Sequence, residues 1–178
     1  MPQELPLSRS NLAENVLIVV LCLGILPLTI LAGALVPPAH MASFVGAILV
    51  FQPFAAPVGL VLGIPPLVIL TTMFSVGLGA VTGILTVCDL CAERWDRLDT
   101  LIRNVQTMTE NSVRFRNYGI LMFFAFIWVP GLGLYGCTLL AWLFMWRRVH
   151  HIAVLMAAWM TAALVVMIMS LGIFLAIS

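Results

Sequence analysis

Two apolar stretches of the chain carry, near their middles, the residue types that break a helix and can hold a ligand. One is FAFIWVPGLGLYGCTLLAWLF, residues 124–144, where Pro130, Gly131, Gly133 and Gly136 stand beside Tyr135 and Thr138. The other is LVFQPFAAPVGLVLG, residues 49–63, where Gln52 precedes Pro53. Proline removes a backbone donor and glycine weakens a helix while letting another group come close. A helix starting at Pro130 leaves its first-turn amides without intrahelical partners, and its positive end favours an anionic or polar group. The amides at Gly131 and Gly133, the hydroxyls of Tyr135 and Thr138, and Gln52 opposite them would make a polar nest. This is binding chemistry, not catalysis. Close helix packing is the competing reading, since small residues serve that purpose in membranes.

The remaining polar candidates are sparse. Arg114 and Arg116, in SVRFRNYG, and the pair Arg147-Arg148 flank the second broken stretch and could hold a lipid phosphate or other anion, or simply anchor at the interface. Cys88 and Cys91 form a single CxxC, short of the four ligands of a structural zinc site. His40 and the His150-His151 pair read as interfacial. No nucleophile–base pair and no nucleotide loop is present, so the chain is not expected to be an enzyme, and no metal or cofactor is expected. No carboxylate falls inside an apolar stretch, so proton coupling finds no support.

The elements that must position these residues are set by composition. Of 178 residues 63% are hydrophobic and 8% charged, and the mean hydropathy is +1.16. A soluble domain cannot hide that much apolar surface. Lipid is the expected solvent of a single membrane domain, 1–178. Residues 15–88, 117–146 and 149–178 hold no Asp, Glu, Lys or Arg. A net charge of +1 gives no footing for nucleic acid.

About 20 apolar residues span the ~30 Å of hydrocarbon. Asn11 and Glu14 predict an N-cap, and 12–36 a first span ended by Pro37-Pro38. The run 16–36 is too long for a signal h-region and is expected to be retained. The stretches 67–88 and 151–176 are full spans. Residues 39–62 and 118–146 are each broken by proline into pieces too short to cross. Either could be one bent span or a re-entrant hairpin. The arginines favour hairpins, because only then do all eight fall on one, cytoplasmic, side. The expected fold is therefore an all-α integral membrane protein with three full transmembrane helices and two re-entrant hairpins. Residues 1–38 form the N-terminal helix, and 39–88 and 117–178 each form a hairpin plus span of opposite topology, an inverted repeat. Between them, 89–116 reads as a cytoplasmic amphipathic helix, with Trp95, Leu98, Ile102 and Val105 on one stripe. The N-terminus is expected in the cytoplasm.

Residues 117–166 resemble the small multi-drug export protein family. The resemblance rests on Tyr118-Gly119, on Pro130-Gly131-Leu132-Gly133-Leu134-Tyr135, on Gly136, on Arg147-Arg148 and on the last span. It is loose over 47–88, where Val50-Phe51-Gln52-Pro53 lacks the family's charged pair. It implies an architecture similar to the DedA-type membrane proteins, with paired re-entrant hairpins, and a prokaryotic plasma membrane.

Two functions fit. One is a transporter or exporter of an amphiphilic solute or anionic lipid, with its site between the hairpins. The other is a non-transporting membrane subunit or assembly protein. A polar cavity between Gln52 and Pro130 would favour the first, and a dry, packed contact the second. The bilayer is the expected partner, and a homo-oligomer is compatible with either.

Overall fold

A computed structural model describes residues 9–94, 133–143 and 148–177. They form α1 (Arg9–Val20), a π-helical turn (Leu21–Ile25), α2 (Leu26–Gly33), α3 (Pro38–Phe51), a 3-10 turn (Gln52–Ala55), α4 (Ala56–Val61), α5 (Pro66–Arg94), α6 (Gly133–Leu143) and α7 (Arg148–Ile177). Among the described residues every regular element is helical. The expected hairpin arm 118–132 and amphipathic helix beyond Arg94 lie outside the described residues, as do Arg114, Arg116, Pro130, Gly131 and Arg147.

Four stretches are long and apolar enough to cross a membrane: Ala13–Gly33, Pro38–Val61, Pro66–Cys91 and Ile152–Ile173. This is one more than the three full spans expected, because Pro38–Val61 has the length and hydropathy of a span despite its break. The first helix begins at Arg9, so Asn11 lies inside it rather than capping it.

Pro38–Val61 is not straight. Gln52 takes φ 56° and ψ −122°, a conformation that turns the chain sharply. In one continuous helix Phe44 and Gly59 would be about 22 Å apart. Instead a Cβ on Gly59 would lie 2.8 Å from the Phe44 ring and 2.8 Å from the Ile69 side chain. The chain therefore doubles back after Gln52, and α4 lies between α3 and the start of α5.

The connections at either side of this fold-back share one design. At the end of α2, Val36 N donates to Leu31 O (3.1 Å) and Leu35 N to Ala32 O (3.0 Å). At the end of α4, Ile64 N donates to Gly59 O and Gly63 N to Leu60 O, both at 3.0 Å. Both are Schellman caps, which need a left-handed residue after the helix. Gly63 fills that place with φ 73°, and Leu35 fills it with φ 57°. Each cap buries the next apolar residue, Val36 or Ile64, and is followed by two prolines that cannot continue the helix.

Helix α5 lies at the centre and packs against α1, α2, α4, α6 and α7. Small residues on two of its faces allow this. Ser75, Gly79 and Gly83 recur every four residues and so share one face. A Cβ on Gly79 would meet the backbone nitrogen of Leu23 at 2.8 Å, and one on Gly83 would meet Val19 at 3.6 Å. Gly77, about 200° round the helix from Gly79, lies beneath the buried Trp159 ring of α7. Without strong hydrophobic drive between helices in lipid, such close backbone approach supplies the packing.

Candidate functional site

Prolines inside apolar helices leave carbonyls without donors, and in hydrocarbon each such group must find another partner. Three prolines here are answered in three ways. At Pro57 the chain tightens locally, and Ala56 N donates to Pro53 O, the carbonyl that Pro57 cannot reach. At Pro27 the helix widens into the π-turn, where Leu26 N donates to Leu21 O. In that register the next carbonyl, Cys22 O, would need an N–H that Pro27 lacks. Ser75 Oγ of α5 donates to it at 2.7 Å.

The third answer builds the candidate site. Pro53 leaves Leu49 O without its i+4 donor. The Tyr135 hydroxyl of α6 donates to it at 2.6 Å. Beside this bond, the first-turn amide of α6, Leu134 N, donates to Gln52 Oε1 at 2.9 Å. That bond identifies the oxygen and nitrogen of the Gln52 carboxamide, since a backbone N–H needs an acceptor. The break of the first stretch and α6 are thus joined by two hydrogen bonds. The described part of α6 is 11 residues, Gly133–Leu143.

The contact is dry. Gln52 is 1% exposed, Leu134 2% and Thr138 0%. Gln52 Nε2 has no hydrogen-bond partner, and neither do Thr72 Oγ1 and Trp159 Nε1. A buried, unmade donor costs about 1–3 kcal/mol. Pro53, within the same turn as Gln52, is buried as well. A groove of about 500 Å³ lies elsewhere, between α5 and α7, lined by the apolar side chains of Phe74, Leu78, Ile152, Ala153, Met156 and Ala157.

The expected site residues divide accordingly. Gln52, Pro53, Gly133 and Tyr135 come together. Thr138 does not offer its proton to the site, because it donates to Leu134 O at 2.7 Å within its own helix. Gly136 faces open space, with nothing within 4 Å of a Cβ built on it, so close packing does not require a glycine there. Arg148 begins α7, at the opposite end of α6 from Gln52. Near that end, Trp142 Nε1 of α6 donates to Asp89 Oδ1 of α5 at 2.8 Å. This pair ties the far end of the half-helix to the membrane-edge end of α5, and the sequence offered only the position of Asp89 at a span end. The CxxC cysteines lie one turn apart on α5, Cys88 half-buried and Cys91 exposed. No group of three or more metal-ligating side chains is found among the described residues.

These features define an α-helical integral membrane protein with a polar contact sealed between the break at Gln52 and α6. Comparison with family models, curated proteins and solved structures found no match to the chain.

Proposed function

We propose that the protein is a small membrane transporter or exporter whose site lies where the two broken stretches meet, at Gln52 and the start of α6. The observation that carries this reading is the Gln52 carboxamide, sealed at 1% exposure with its oxygen bound to Leu134 N and its nitrogen unpartnered. A purely structural contact gains nothing from a buried donor pair with no acceptor. A site that opens to a ligand does, and the present contact is then its occluded state. In this reading both broken stretches are re-entrant hairpins, Pro38–Val61 entering from outside and 118–146 from the cytoplasm, in an inverted repeat. The Gly59–Phe44 contact supports the first hairpin. The arginine distribution and the resemblance of 117–166 to the small multi-drug export proteins support the second, and with it a prokaryotic plasma membrane and a cytoplasmic N-terminus. The substrate class is an amphiphilic solute or an anionic lipid, and Arg114, Arg116, Arg147 and Arg148 would stand at its cytoplasmic mouth.

The dry packing of Gln52, Leu134 and Thr138 favours a second reading, a non-transporting membrane subunit on the same frame. Cysteine accessibility in sealed vesicles separates the two. In a background without Cys22, Cys88, Cys91 and Cys137, Ala39→Cys and Pro65→Cys are expected to react with an impermeant thiol reagent from the same face. Ser112→Cys and His151→Cys are expected to react from the other. Tyr135→Cys is the decisive position. Reaction from both faces supports transport, and protection from both leaves the subunit reading.

A further inference from the structure

We infer that the group received at Gln52 is an uncharged hydrogen-bond acceptor, a carbonyl, ester or ether oxygen, held by the Gln52 Nε2 donors at the start of α6. The inference deepens the transporter reading and rests on it for the site's location, though not for its chemistry.

Three observations fix that chemistry. First, two of the three unpartnered buried side-chain atoms among the described residues are donors only, the third being the Thr72 hydroxyl. Gln52 Nε2 carries two N–H groups and Trp159 Nε1 one, and neither atom has a partner. Gln52 and Trp159 are each 1% exposed. The turn bearing Gln52 packs on α7, which bears Trp159. Second, the carboxamide oxygen is already engaged. Leu134 N donates to Gln52 Oε1 at 2.9 Å, so the valences left at Gln52 are donors alone. A donor-only group would find no bond there. Third, the apolar stretches that meet at Gln52 carry no cation of their own to balance a full negative charge. No Lys or Arg falls in 15–88, 117–146 or 149–178. An uncompensated charge in low dielectric is far costlier than two amide bonds can offset. A neutral acceptor meets all three conditions, and it narrows the substrate from amphiphiles and anionic lipids to uncharged amphiphiles.

The test uses the whole protein in detergent micelles, with ¹⁵N-glutamine. The chain has three glutamines, Gln3, Gln52 and Gln106. The Gln52 side-chain resonances are identified by their loss in Gln52→Glu, whose carboxyl, protonated at this buried position, keeps an acceptor for Leu134 N. The probes share one apolar chain and differ at one end: decan-2-one, decanoate, decylammonium and decane. Expected is a saturable downfield shift of the Gln52 Nε2 protons with decan-2-one, with Gln3 and Gln106 unmoved and no saturable shift with the other three. A saturable shift with decanoate and none with the ketone overturns the inference in favour of an anion site. No saturable shift with any probe overturns it outright. Failure here is separable from failure of transport. If Tyr135→Cys reacts from both faces while Gln52 ignores every probe, transport stands without this ligand class. If Gln52 answers the ketone while Tyr135→Cys is protected from both faces, the ligand class stands and transport falls.

Discussion

The Tyr135 hydroxyl stands 2.6 Å from the Leu49 carbonyl, the one acceptor of α3 that Pro53 deprives of its helical donor. With the bond from Leu134 N to Gln52 Oε1, it fixes the start of α6 against the fold-back of α3 and α4. Tyr135→Phe keeps the ring and removes only this bond, leaving Leu49 O unsatisfied in a half-buried place. A loss of about 0.5–2 kcal/mol is expected in thermal or denaturant unfolding in micelles. Thr138→Val removes a bond internal to α6 and should cost less, because the Leu134 carbonyl keeps its own i+4 backbone donor. Equal losses from the two substitutions would mean that the Tyr135–Leu49 bond holds nothing together.

The two Schellman caps differ in one residue type, and the difference should be measurable. Gly63 adopts φ 73° without a side-chain clash, whereas Leu35 is held at φ 57° with its side chain 90% exposed. The left-handed conformation costs a residue with a Cβ about 1–2 kcal/mol. Leu35→Gly removes that strain and loses almost no buried surface, so it is expected to raise the unfolding midpoint. Gly63→Ala introduces the same strain at the equivalent place and should lower it. If Leu35→Gly destabilises, then Leu35 is held by contacts outside the protein, with lipid or a second chain, that its exposure here does not reveal.

Glycines that look alike in the sequence are predicted to behave differently. A Cβ on Gly79 would fall 2.8 Å from the Leu23 backbone nitrogen, which no rotamer change can relieve. Gly79→Ala must push α1 and α2 off α5, and about 1–3 kcal/mol of destabilisation is expected. Gly136→Ala meets nothing within 4 Å and replaces a poor helix former with the best one. Unchanged or slightly raised stability is expected. Since Gly136 lies within two residues of Leu134, the same substitution also probes the site. A stable Gly136→Ala protein that no longer moves substrate would show that the space beside Gly136 serves passage rather than packing.

What could be read in advance follows the same physics. Gln52 stood out because an uncharged amide is conspicuous in 74 residues without a charge, and it does lie at the junction. Its partner could not be read, because a backbone N–H such as that of Leu134 has no signature in the side-chain sequence. Tyr135 was selected for its hydroxyl, yet its acceptor, Leu49 O, follows only from counting four residues back from Pro53. Thr138 was placed in the site on residue type alone, and the preference of threonine for the i−4 carbonyl within a helix overrode that. Pro37-Pro38 marks the end of the first span, but nothing marks the left-handed Leu35 two residues before it, since leucine is not the residue for that place. Nothing in the sequence marks Ser75. Its role depends on a π-turn whose existence depends on Pro27, two contingencies removed from anything local to Ser75.

That chain of contingencies makes the last prediction the sharpest. If Ser75 Oγ is there because Pro27 leaves Cys22 O without a donor, the two residues must be energetically coupled although they lie on different helices. Ser75→Ala alone strands a carbonyl in hydrocarbon, for an expected loss of roughly 0.6–2 kcal/mol. Pro27→Ala alone returns a backbone N–H to the turn, lets Leu21–Ile25 relax toward regular helix, and makes Ser75 redundant. In the double variant the alanine at position 27 supplies the donor, so removing Ser75 should cost little more. The double-mutant cycle is therefore expected to close with a coupling of about 0.5 kcal/mol or more, the penalty of Ser75→Ala shrinking in the Pro27→Ala background. Additive penalties would mean that the serine merely fills space between the helices. The Pro27 irregularity would then be answered by some other group, and the account of prolines matched by distant hydroxyls would hold at Pro53 alone.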